Sequence, residues 1–239
     1  MKLLIDNSIR ADAIRSEHGF LKLEGTGEIG RNSHAIYAQR VRPDRKDWRQ
    51  GEIDVLPQIA DLIRKGLVKG CITDELELEA LAAEKFPSPV LEDIFDGCIL
   101  EKIPAPIDRS KWGMDMDQAL SREQVIKYCE GFFLTPADKR IEAFILGVRK
   151  NPRLSLSEFE ENCLRNVRIF REICRGIDRK HYPDALHLWT AEENGVDVFL
   201  LNDKKFINVI SRQKVDLHCK LMLPTEFIKY IKEMSAGMP

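Results

Sequence analysis

The chain has 239 residues, 44% of them hydrophobic and 32% charged, with a formal net charge of −2. That length can bury a sizeable core, and the balance is that of an ordinary globular chain. The near-neutral charge excludes a global basic field, so any nucleic-acid contact rests on a local patch or on metal ions, and no apolar run approaches a membrane span.

"KLLID" (2–6) reads as a short buried strand ending on Asp6. The opening "MKLLIDNSIR" has its apolar run cut by Asp6 and lacks a cleavage site, unlike a signal peptide. "SIRADAIRSEHGF" then suits a helix. Residues 24–50 are polar and glycine-punctuated, which predicts a long excursion with a short helix near 34–40. Helical periodicity over 52–66 stops at Gly66, "LVKGCIT" (67–73) is strand-like, and "TDELELEALAAEKF" starts a helix with Thr73 or Asp74 as its N-cap. A further strand is expected in "GCILEKIP" (97–104), followed by an irregular 104–120 and helical patterns near 121–130, 136–150 and 155–175. "YPDALHLWTAEENGVDVFLLNDKKF" (182–206) reads as a helix over 184–194, stopped by Gly195, and then the strand "DVFLL". "VDLHCKLMLPTEFIKYIKEM" supplies a last strand and a helix with Pro224 in its first turn.

Strands alternating with helices predict an α/β fold, with a parallel sheet covered by helices on both faces and right-handed crossovers. In such a sheet the ligand site lies at the carboxyl ends of the strands. Asp6 and Asp203 both end strands and so point to one edge. A helix packed antiparallel on the strand that follows it brings Asp184, at its front, beside Asp203, nineteen residues on. After "LVKGCIT", Glu75 and Glu79 share a helix face over the same edge, while Glu77 lies on another. Carboxylates that converge repel unless cations or protons intervene. Oxygen donors suit Mg²⁺ or Mn²⁺, and one or two such ions can activate a water and steady the leaving oxygen of a phosphodiester.

Each acid also has a purely structural use. Asp184 is a natural N-cap or first-turn acid, and Asp203 a turn residue; it is the set that points to a metal site. His187, one turn past Asp184, reads as a structural histidine, and "LRNVRIFREIC" (164–174) as core. The runs "RVRPDRKDWRQ" (40–50) and "DRSKW" (108–112) read as solvated loops, with phosphate contact as the alternative. The cysteines at 71, 98, 129, 163, 174 and 219 are scattered, with no CxxC pair and no zinc-like cluster. They are expected to be reduced thiols of a cytoplasmic protein.

Four segments resemble the PIN domain, the metal-dependent nuclease fold of bacterial toxin nucleases and RNA-processing factors. "LLIDNSI" resembles its opening strand, with Asp6 as first acid and Ser8 in the usual small polar place. "CITDELELEAL" resembles the segment in which Thr or Ser precedes the second acid by six residues, which picks Glu79, counted from Thr73, over Glu75. "PDALHLWTAEENGVDVFLLNDKKF" is the most specific match, with Asp184 and Asp203 as third and fourth acids, and "LMLPTEFIKYI" resembles the closing strand and helix. One departure is Leu201, where the family often has Thr or Ser two residues before the fourth acid; Asn202 is the nearest hydrogen-bonding substitute.

The resemblance implies a three-layer α/β/α fold with a central, mostly parallel sheet. It implies a single domain over 1–239, with helical insertions at about 19–50 and 104–150 that nothing in the family explains. It also implies a Mg²⁺- or Mn²⁺-dependent nuclease, an endoribonuclease in which Asp6, Glu79, Asp184 and Asp203 bind metal and Ser8, Glu75 and Asn202 support them. The implied partners are an RNA substrate, single-stranded or structured, a second copy of the chain, and an antitoxin-like protein; a membrane is not among them. Two alternatives stay open. Leu201 and the insertions motivate a non-catalytic PIN-like module that binds RNA or protein. An Asp-nucleophile phosphohydrolase commonly wants a second Asp two residues after the first, where Ser8 stands.

Overall fold

The computed structural model describes residues 1–21, 36–41, 47–83, 90–108, 121–134, 138–151 and 155–236. Strand β1 (Lys2–Ile5) is followed by helix α1 (Asn7–Ala13) and two strands of a small second sheet, β2 (Ile14–Leu21) and β3 (Ile36–Val41). Helices α2 (Trp48–Asp54) and α3 (Leu56–Arg64) lead to β4 (Lys69–Ile72) and α4 (Asp74–Ala83). Strand β5 (Val90–Asp93) joins the second sheet, and β6 (Leu100–Lys102) the first. A helical stretch follows: α5 (Arg122–Tyr128), a wide π turn (Cys129–Phe133), α6 (Asp138–Arg149), α7 (Glu158–Arg165) and α8 (Arg168–Cys174). A 3-10 turn (Arg179–His181) runs into α9 (Tyr182–Glu193), and β7 (Val198–Leu200), α10 (Lys204–Gln213), β8 (Lys220–Met222) and α11 (Pro224–Ala236) close the chain.

The main sheet is all parallel, in the order β6-β4-β1-β7-β8. β1 sits at its centre, with Leu3 opposite both Gly70 and Val198. Strand residues alternate between two apolar layers, as the period of two requires. Leu3, Ile5, Val198 and Leu200 pack with Ile9, Leu56, Ile59 and Phe227. Leu4, Cys71, Phe199 and Leu201 pack with Phe170, Leu188 and Trp189. Helices therefore cover both faces, giving an α/β protein of three layers. Phe170 and Trp189, with ring centroids 5.4 Å apart, fill much of the second layer. All six cysteines are free thiols, and burial pushes Cys163, Cys174 and Cys219 far above the usual thiol range. Among the described residues no helix is long and apolar enough to cross a membrane.

Several local expectations are corrected. The helix expected through "SIRADAIRSEHGF" ends at Ala13, because Ile14–Leu21 pairs antiparallel with β3 along its length and with β5 through a bulge. The short helix expected near 34–40 is β3, and the β-branched and aromatic start of "IYAQRV" suits that pairing. The pattern over 52–66 is two helices that meet at Val55, just before Pro57, and Gly66 then takes a positive φ of 69°. The pattern over 155–175 also divides, at Asn166–Val167. Much of the two expected insertions, including all of 109–120, lies outside the described residues.

Candidate metal centre

The strand order reverses beside β1: the chain first adds β4 and β6 on one side, then crosses to β7 and β8 on the other. Ligand sites of open parallel sheets form at such a switch, beyond the carboxyl ends of the strands. A cleft of about 490 Å³ lies there, and Asp6, Glu79, Asp184 and Asp203 all line it, with Asn7, Ser8, Leu201, Asn202 and the basic residues Arg49, Arg122, Lys180 and His181.

Each acid arrives from a different element. Asp6 leaves β1 with its backbone N–H bonded to the Leu200 carbonyl (3.0 Å) and caps α1, its Oδ2 accepting the Ser8 N–H (2.8 Å). The Ser8 hydroxyl donates to that same oxygen and accepts the Asn202 N–H at 3.1 Å, so Ser8 ties the end of β1 to the end of β7. Asp203 caps α10, its Oδ1 accepting the N–H groups of Lys205 and Phe206, both at 2.9 Å. Asp184 is a first-turn residue of α9 rather than its cap, since that helix begins two residues earlier, at Tyr182. Because α9 runs back along β7, Asp184 and Asp203 carry oxygens within 4.8 Å of each other, in a group that includes a nitrogen of His181.

Glu79 stands on α4, whose start is capped by the buried hydroxyl of Thr73 (Leu76 N–H at 3.2 Å). The Asn7 side chain donates to the Leu76 carbonyl at 2.6 Å and binds that helix to the start of α1. Opposite Glu79 is His187, 1% exposed, its Nε2 at 3.0 Å from Glu79 Oε2. Burial disfavours the charged imidazole, but the carboxylates of Glu79, Asp6 and Asp184 outweigh it and raise its pKa to about 9. The 3.0 Å contact sets His187 against Glu79 and holds that carboxylate in place. Glu75 is 3% exposed and does not line the cleft, and Glu77 pairs with Lys102 on another side of α4. The Asn202 side chain turns away from the acids and donates to buried Asp12 at 2.7 Å.

Burial pushes the Asp184 carboxyl above the usual range, against the pull of Arg122, and nearby Asp6 pushes it the same way. A half-buried acid next to another acid favours positive charge beside it. The donors are carboxylate oxygens with one imidazole, a set that fits a hard divalent cation such as Mg²⁺ or Mn²⁺.

The basic members of the cleft have weaker sequence signals. His181 sits three residues before Asp184, a spacing that brings side chains together, and its Nδ1 lies 3.1 Å from Asp184 Oδ2. Arg49 belongs to the basic run around Trp48 and reaches buried Asp12 at 2.9 Å, while the Lys204 ammonium stands 3.7 Å over the Trp48 ring. Arg122 reaches the cleft only through tertiary packing, and nothing local in the sequence marks it. Comparison with protein-family models, with curated proteins and with solved structures finds no match to this chain.

Proposed function

We propose that the chain is a PIN-like, divalent-cation-dependent nuclease, an endoribonuclease hydrolysing phosphodiester bonds. The observation that carries this reading is the convergence of Asp6, Glu79, Asp184 and Asp203 from four elements in one cleft, at the edge of the sheet where parallel folds bind ligands. When bound there, Mg²⁺ or Mn²⁺ supplies Lewis acidity, which lowers the pKa of a water and steadies charge on the phosphate oxygens. The chain's own residues supply the rest. Capping contacts orient the carboxylates of Asp6 and Asp203, and His187 fixes Glu79. Arg49, Arg122 and Lys180 give the cleft positive charge that suits a phosphate backbone despite the net charge of −2. RNA, rather than DNA, follows from the family resemblance.

Calorimetric titration with Mn²⁺ tests the reading. Wild type is expected to bind the ion, and Asp184→Asn to bind it at least about tenfold more weakly. Folded wild type that takes up no Mn²⁺ would favour the non-catalytic module instead.

A further inference from the structure

Among the cleft's arginine and lysine side chains, Arg122 has a distinctive partner; His181 also contacts Asp184, at 3.1 Å. Arg49 is committed to buried Asp12 (2.9 Å) and Lys180 to Asp178 (3.2 Å), neither partner being one of the four acids. Arg122, the first residue of α5, instead places its Nη2 at 3.4 and 3.5 Å from the two oxygens of Asp184. The same nitrogen donates to the Lys180 carbonyl at 3.0 Å, which holds the guanidinium at the mouth of the cleft. Tight charge-assisted bonds run at about 2.7–2.9 Å, so the contact with Asp184 is loose. The Arg122 side chain is 54% exposed and that of Asp184 23%, so the arginine has room to leave while the acid stays.

We propose that Arg122 is a swing residue that neutralises Asp184 in the metal-free chain and, when a divalent cation takes that carboxylate, turns to hold the phosphate of the bound nucleic acid. This inference rests on the nuclease reading above. Asp184 cannot give the same oxygens fully to a metal ion and to a guanidinium, so the two cations compete. Once displaced, a planar fork of N–H donors stands beside the place where a phosphate would meet the metal, and that fork matches phosphate oxygens in pairs. Arg122 would therefore oppose metal binding and favour nucleic-acid binding, two effects of opposite sign on one side chain.

The sign difference makes the test. Mn²⁺ affinity is read by calorimetry, and affinity for a short labelled single-stranded RNA by fluorescence anisotropy with Ca²⁺ in place of Mn²⁺. In Arg122→Gln, Mn²⁺ is expected to bind roughly two- to fivefold more tightly, the size of a released, partly exposed ion pair. The RNA is expected to bind about tenfold more weakly, the loss of one charged hydrogen-bond donor. Arg122→Lys keeps the charge without the fork and is expected to leave Mn²⁺ affinity near wild type with RNA affinity between the other two. A merely structural arginine would weaken both in Arg122→Gln, and that result overturns the proposal, as does unchanged RNA affinity or unchanged Mn²⁺ affinity. Failure of wild type to bind Mn²⁺ would instead sink the nuclease reading itself, which keeps the two failures apart.

Discussion

Asp6 and Asp203 each accept N–H groups from the helix that follows, and a cap of that kind contributes roughly 0.5–2 kcal/mol. Capping alone would justify both residues. It does not justify Asp184, a half-buried first-turn acid of α9 that is not the cap, nor Glu79, set against a buried histidine. Acids that share one cleft repel each other unless cations or protons intervene. The sharpest residue-scale prediction concerns the two glutamates of α4. Glu79→Gln is expected to lower metal-dependent RNA cleavage by roughly 100-fold or more, a loss of several kcal/mol of charge stabilisation. Glu75→Gln is expected to cleave near the wild-type rate even if its melting temperature falls, because Glu75 is buried away from the cleft. Rates for the two variants, measured in Mn²⁺, check this, and a reversed order would contradict the assignment. Helical spacing puts both glutamates on one face, so periodicity alone left them tied; the six-residue step from Thr73 pointed to the one that lines the cleft.

At the scale of the element, the helix, glycine and strand unit from Tyr182 to Leu200 carries Asp184 and ends three residues before Asp203, and its geometry depends on how α9 stops. Gly195 has a φ of 59°, its N–H bonds the Glu192 carbonyl at 3.1 Å, and the Val196 N–H bonds the Ala191 carbonyl at 2.9 Å. This is a Schellman stop, which favours a residue free of Cβ strain. Gly195→Ala is expected to cost about 1 kcal/mol, lowering the melting temperature by about 2–4 °C in a chain of this size. Gly195→Asn should cost less, since Asn tolerates the left-handed region better. Thermal melts of the two variants check the order. This unit was legible in the sequence because its signals are local: an apolar helix, a glycine and a short apolar run. The strand Ile14–Leu21 was not, because its pairing partners lie far along the chain, at Ile36–Val41 and Val90–Asp93. Local propensity allowed a helix there, and non-local pairing decided otherwise.

For the whole molecule, strand order turns scattered acids into one site. The sheet runs β6-β4-β1-β7-β8, and the reversal beside β1 opens the cleft between the ends of β1 and β7. Alternating strands and helices made the parallel sheet, and the carboxyl edge where its cleft lies, readable in advance. That Asp6, Asp184 and Asp203 share this edge was readable too, because each sits near a strand end or a helix start, whereas Glu79 was singled out by the family resemblance. The cations were not. Arg122 follows residues 109–120 in sequence and meets Asp184 only because α5 packs on α9, a contact no periodicity announces. The antiparallel sheet β3-β2-β5 was likewise hidden, since it joins three segments separated by long stretches of chain.

In the proposed function the four carboxylates form a cation-dependent hydrolytic site. Incubating a mixed pool of single-stranded and structured RNA with wild type in Mn²⁺ or Mg²⁺, alongside Asp184→Asn and an EDTA control, tests it most directly. Wild type is expected to cut the pool, and cutting is expected to stop with EDTA and in the variant. Well-folded wild type that leaves the RNA whole, or cutting that survives in Asp184→Asn, would contradict it.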